Sequence, residues 1–134
     1  MITAVDTNIL VDILEPDPIY GTMSKELFKQ CLREGLVVAC GVVWSEVATA
    51  YGHAPDELVE ALNRMGVEYS AMSLEAALAA AKCWYEYREH GGTRERIAAD
   101  FLIGGHALMQ SDRLLTRDRG FYRNYFAKLQ VLSP

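Results

Sequence analysis

Ile2-Thr3-Ala4-Val5-Asp6-Thr7-Asn8 is the stretch that decides how this chain reads. Its first four residues, apolar and β-branched, form a short strand with no polar face, as expected of a strand buried on both sides. Asp6 closes that strand. In an open parallel α/β sheet, ligands bind beyond the carboxyl ends of the strands, where the strand order reverses. A carboxylate at that position has a functional place to stand.

Working outward, strands and helices alternate. Ile9, Leu10, Ile13 and Leu14 have helical spacing, and Pro16 and Pro18 end that segment. Ser24 reads as the N-cap of a helix burying Leu27, Phe28, Cys31 and Leu32 and stopping at Gly35. Leu36 to Cys40 is a second buried strand. The next helix carries Glu46 early in its length, with Val43, Val47 and Ala50 facing inward. Pro55-Asp56-Glu57 starts a helix that runs to Gly66, and Val67 to Tyr69 is a third strand.

A long alanine-rich helix from Ser73 to His90 ends at Gly91-Gly92. Thr93, with Arg96 rather than Glu three residues on, weakly caps a helix that carries Ile97, Asp100, Phe101, Leu102, Ala107, Leu108 and Met109. Its Gly104-Gly105 pair costs helix propensity and suits close packing against the sheet. Leu114 to Thr116 and Leu129 to Leu132 complete the strands. The class is α/β with a mainly parallel sheet.

At 134 residues the chain is sized for one domain, residues 1–134. No apolar run approaches the ~20 residues of a membrane-spanning helix, and no basic region precedes a long apolar core at the N-terminus. A cytoplasmic location is the expectation. Cys31, Cys40 and Cys83 lack C-x-x-C spacing, and His53, His90 and His106 are scattered, so neither a disulfide framework nor a thiolate zinc site is expected.

The net charge of −5 argues against a nucleic-acid partner until its distribution is considered. Residues 1–87 hold 5 Lys/Arg against 13 Asp/Glu; residues 88–134 hold 8 against 5. The second part is thus basic, mostly through arginine: Arg88, Arg94, Arg96, Arg113, Arg117, Arg119 and Arg123.

Two strands run directly into an acid, Val5 into Asp6 and Thr116 into Arg117-Asp118. If they are neighbours, their carboxylates converge in one crevice, and Glu46 and Asp100 can reach the same edge from their helices. Four carboxylates in one cleft raise each other's pKa unless a cation joins them. Mg²⁺ or Mn²⁺, which prefers oxygen ligands and is usually held together with substrate phosphates, fits that need. Phosphodiester chemistry follows, with a water activated by the metal and no histidine base. Taken singly, each acid has an ordinary role: Asp6 in a turn, Asp118 as an N-cap, Glu46 on a helix face, Asp100 paired with Arg96.

The ordered set is Asp6-Thr7-Asn8, Ser45-Glu46-Val47, Ala99-Asp100-Phe101-Leu102-Ile103-Gly104-Gly105-His106-Ala107 and Leu114-Leu115-Thr116-Arg117-Asp118-Arg119-Gly120-Phe121. It resembles PIN-domain ribonucleases, specifically the VapC-type toxins of toxin–antitoxin pairs, along essentially the whole chain. The resemblance implies an α/β/α sandwich, with Asp6, Glu46, Asp100 and Asp118 as catalytic metal-binding acids and Thr7, Asn8 and Thr116 as supporting residues. It further implies Mg²⁺- or Mn²⁺-dependent cleavage of structured RNA such as tRNA or rRNA, homodimerisation, and inhibition by a VapB-like antitoxin. Gly120 departs from the pattern, since many relatives carry another acid there.

Arg117, Arg119 and Arg123 flank the acids as candidate RNA contacts. Trp44, Tyr51, Trp84, Tyr85 and Tyr87 are candidates for an apolar surface that takes the antitoxin. Two other readings stay open. Asp6 could be the nucleophile of a phosphatase of the haloacid dehalogenase type, although Asn8 stands where such enzymes carry a second Asp. The chain could also be a non-catalytic module binding RNA or protein.

Overall fold

The strand that opens the chain becomes the centre of the sheet. The computed structural model describes residues 1–52, 54–92 and 98–134. The strands are β1 (Ile2–Val5), β2 (Leu36–Ala39), β3 (Val67–Tyr69), β4 (Arg113–Leu115) and β5 (Val131–Leu132), in the spatial order β3-β2-β1-β4-β5. Every pairing is parallel, and Ala4 aligns with Val38 on one side and Leu114 on the other. The order runs one way from β1 through β2 and the other way through β4. The switch point therefore falls at the carboxyl ends of β1 and β4, where Asp6 and Thr116 follow the last paired residues.

Parallel strands need crossovers, and helices supply them: α1 (Thr7–Leu14), α2 (Gly21–Glu34), α3 (Gly41–Tyr51), α4 (Pro55–Met65), α5 (Leu74–Glu89), α6 (Ala98–Gln110) and α7 (Arg119–Tyr125). Pro55 begins α4, and Gly66 ends it in the left-handed conformation. Ser73 Oγ accepts the Ala76 N–H at 3.1 Å and caps α5. No helix of the described residues is long and apolar enough to cross a membrane.

Several sequence expectations need correcting. Ser24 does not cap α2. Asp17 accepts the N–H groups of Ile19 and Tyr20 at 2.8 Å each, so the helix starts earlier, at Gly21, and Ser24 is buried one turn inside it. Ala50 is exposed, while Val43 and Val47 carry the inner face of α3. The last strand is shorter than expected, because Leu129 turns back to bond Phe126 before Val131 begins pairing. Gly104 and Gly105 do admit close packing, but not against the sheet. A Cβ on Gly104 would lie 2.4 Å from the Phe126 ring, and one on Gly105 would lie 2.5 Å from the Ala76 carbonyl oxygen of α5. The readings of His53, Thr93, Arg94, Arg96 and Ile97 fall outside the described residues.

An aromatic cluster braces the helices that carry two of the acids. Phe101 of α6 meets Trp84 and Tyr87 of α5 at centroid distances of 5.8 and 5.3 Å and Phe121 of α7 at 5.3 Å. Asp100 precedes that anchor directly, and Asp118 directly precedes α7.

Candidate active site

Asp6 is 6% exposed and bonded from several sides. Its N–H donates to the Leu115 carbonyl at 2.9 Å, which carries the β1–β4 ladder up to the acid. Its Oδ1 accepts the Thr7 N–H at 2.7 Å. Its Oδ2 accepts the Thr116 hydroxyl at 2.6 Å and a longer bond from Asn8 Nδ2 at 3.3 Å. Asp6 thus also serves as the N-cap of α1.

The same network reaches Asp118 through its backbone and Glu46 through Thr7. Thr116 Oγ1 accepts the Asp118 N–H at 3.0 Å, and Asn8 Oδ1 accepts the Arg117 N–H at 3.1 Å. The loop after β4 is therefore fastened to the first turn of α1. Thr7 Oγ1 donates to Glu46 Oε1 at 2.6 Å. Glu46 lies in the middle of α3 rather than early in it, so the Thr7 bond, not a helix start, links it to Asp6. Asp100 is in the first turn of α6, where the helix dipole favours a negative charge. Asp118 occupies the N-cap position of α7 but makes no side-chain capping bond.

The charges interact. Burial pushes the Asp6 carboxyl up to about 6; the bonds from Thr116 and Thr7 pull it down, and the carboxylates of Asp100 and Glu46 push it further up. Among the described residues, no three His, Cys, Asp or Glu side chains form a ready-made cation site. What the acids offer is an all-oxygen donor set in a shared field, and that chemistry fits a hard divalent cation rather than zinc or copper. Glu46 also lines an open recess of about 350 Å³ with Ser45, Thr49 and Ala50.

Of the flanking arginines, Arg119 and Arg123 are exposed. Arg117 is occupied, its guanidinium bound through two bonds to Asp12. Two residues escaped the sequence reading. Asp12 is 2% exposed and holds Arg117, and Tyr122 is 1% exposed one helical turn after Asp118. The i, i+4 spacing from Asp118 was the available signal for Tyr122. Of the aromatic residues expected at the surface, Tyr87 is buried against Phe101 and Tyr125, so it belongs to the core; Trp44 is partly buried.

A parallel sheet with acids at its switch point defines an α/β domain with an acidic edge. The chain belongs to the PIN domain family, whose model matches residues 3–127. No curated protein matches it by sequence. Its fold is similar to VapBC-1 from nontypeable Haemophilus influenzae, at 20% identity and a TM-score of 0.76, covering 99% of this chain and 98% of that one. It is also similar to FitAcB from Neisseria gonorrhoeae, at 23% identity and a TM-score of 0.69, covering 98% and 96%. A toxin–antitoxin complex from Klebsiella pneumoniae matches at 22% identity with a TM-score of 0.65, covering 97% and 95%. At these identities the likeness is one of fold.

Proposed function

We propose that this PIN domain is a metal-dependent endoribonuclease and the toxin of a toxin–antitoxin pair, cutting structured RNA such as tRNA or rRNA. One observation carries the reading. Asp6, at the switch point, is bonded to the loop bearing Asp118, tied through Thr7 to Glu46, and coupled by charge to Glu46 and Asp100. Asp6, Glu46, Asp100 and Asp118 are the residues we assign to hold Mg²⁺ or Mn²⁺. When bound, such a cation supplies Lewis-acid polarisation of a phosphodiester and acidifies water for in-line attack.

The chain's own residues do the positioning. Thr116 and Asn8 fix the Asp6 carboxylate, Thr7 fixes that of Glu46, and the recess beside Glu46 leaves room for a nucleotide. The phosphatase alternative is weaker here, because Asn8 stands where such enzymes carry a second Asp and is committed to Asp6 and to the Arg117 N–H. The antitoxin assignment is supported by the complexes among the structural relatives. We expect a homodimer.

The test is cleavage of total cellular RNA by purified, antitoxin-free protein with Mg²⁺ or Mn²⁺, beside Asp6→Asn and chelator controls. Discrete fragments that vanish in both controls are the expected result. Folded protein that cleaves nothing with either metal, yet binds RNA tightly, establishes the non-catalytic alternative instead.

A further inference from the structure

The hydroxyl of Tyr122 is a buried polar group that the site has not yet explained. Its ring is fixed in the aromatic cluster, with the Phe121 and Phe126 centroids 5.0 and 5.9 Å away. The residue is 1% exposed, and its Oη, shielded from solvent, has no hydrogen-bond partner among the described residues. A buried hydroxyl without a partner bears the whole cost of its desolvation, and folded proteins rarely leave one so.

Its surroundings say what it faces. Asp118 lies one turn earlier on the same side of α7. Burial, followed by the charges of Asp6, Asp100, Asp118 and Glu46, holds the phenol proton on far above its ordinary range. Tyr122 Oη thus keeps its proton in the field of the four acids, and toward a carboxylate it can act only as a donor. A water bridging the phenol to the carboxylates would supply the partner that the hydroxyl lacks.

We propose that Tyr122 is a positioning residue of the acidic site: its hydroxyl donates to a buried water shared with the surrounding carboxylates and so sets the orientation in which they receive a cation. The inference rests on the metal-dependent reading above and extends it by a residue outside the motifs that carried the resemblance.

Tyr122→Phe keeps the ring and removes only the hydroxyl. We expect its affinity for Mn²⁺, read by electron paramagnetic resonance, to fall about tenfold, as for other groups that orient metal ligands. We also expect kcat on RNA to fall with KM unchanged, in protein whose circular dichroism matches that of wild type. A crystal structure should place an ordered water on Oη. Mn²⁺ affinity and kcat equal to wild type, or a hydroxyl bonded to a backbone carbonyl away from the acids, overturns the proposal. Wild-type protein that binds no Mn²⁺ overturns both readings. Wild-type protein that binds Mn²⁺ but cuts no RNA overturns the nuclease reading alone and leaves Tyr122 to be decided by the affinity comparison.

Discussion

Arg117 grips Asp12 through both carboxylate oxygens, Nε to Oδ2 at 2.8 Å and Nη2 to Oδ1 at 2.9 Å. Ser24 adds a third bond to Asp12 at 2.7 Å, and the guanidinium lies 4.4 Å from the Tyr20 ring centroid. The pair joins the α1–α2 hairpin to the loop between Thr116 and Asp118. The ion pair thus adds to the Thr116–Asp6 and Asn8–Arg117 bonds that fasten this loop to the first half of the acidic site.

Arg117→Ala leaves the Asp12 carboxylate buried without its counter-charge. We expect a loss of about 2–3 kcal/mol, the lower end for a broken buried pair because the arginine side chain is itself about one-third exposed. Urea denaturation measures it. Arg117→Met combined with Asp12→Leu should recover most of the loss, since an apolar pair of similar volume often replaces a buried ion pair at little cost. A single variant as stable as wild type would show that the pair is dispensable.

How far the sequence revealed this site follows from where its information lies. The β1 strand, the acid closing it, and the four ordered motifs are local signals, and all could be read from neighbours in sequence. The Asp12–Arg117 pair spans 105 residues and looked like two unrelated surface charges, so Arg117 read as a candidate for RNA. Ser24 misled for a similar reason: a serine ahead of an apolar run is a good cap, but Asp17 had already started the helix. For Tyr122 the spacing from Asp118 was legible but its burial was not, because that depends on packing against Phe121 and Phe126.

The Asp6 carboxyl gives a pH signature in metal-free protein. Its folded pKa of about 6 lies above the ordinary 3.8, so the folded state binds the proton more tightly than the unfolded chain does. Its contribution to stability is then fully present below pH 3.8 and is lost as pH rises through about 6. Asp6→Asn removes that loss. In chelator, the variant should gain on wild type by about 2 kcal/mol between pH 4 and pH 7.5. Denaturant midpoints at both pH values test it, and a difference independent of pH would refute the raised pKa.

Two glycines predict opposite outcomes. Gly105→Ala forces a Cβ to within 2.5 Å of the Ala76 carbonyl oxygen and 2.8 Å of the Ala80 Cβ, so α6 must part from α5. The overpacking costs about 1–3 kcal/mol and outweighs the helix propensity gained. Gly120→Ala, in the first turn of α7, meets nothing within 4 Å and should stabilise by up to about 1 kcal/mol. Thermal melts of both variants check the contrast; equal Tm values would mean that the α5–α6 contact yields more readily than its geometry implies.

RNA binding, if it uses the basic flank, must respond to salt through Arg119 and Arg123, since Arg117 is held by Asp12. Each phosphate contact to single-stranded RNA contributes about 0.7 to the slope of log K against log salt. In an Asp6→Asn background, where cleavage is not expected, adding Arg119→Gln and Arg123→Gln should flatten that slope by up to about 1.4 and weaken binding to tRNA most at low salt. Binding titrations across a salt series measure both quantities. An unchanged slope would exclude Arg119 and Arg123 from the RNA path.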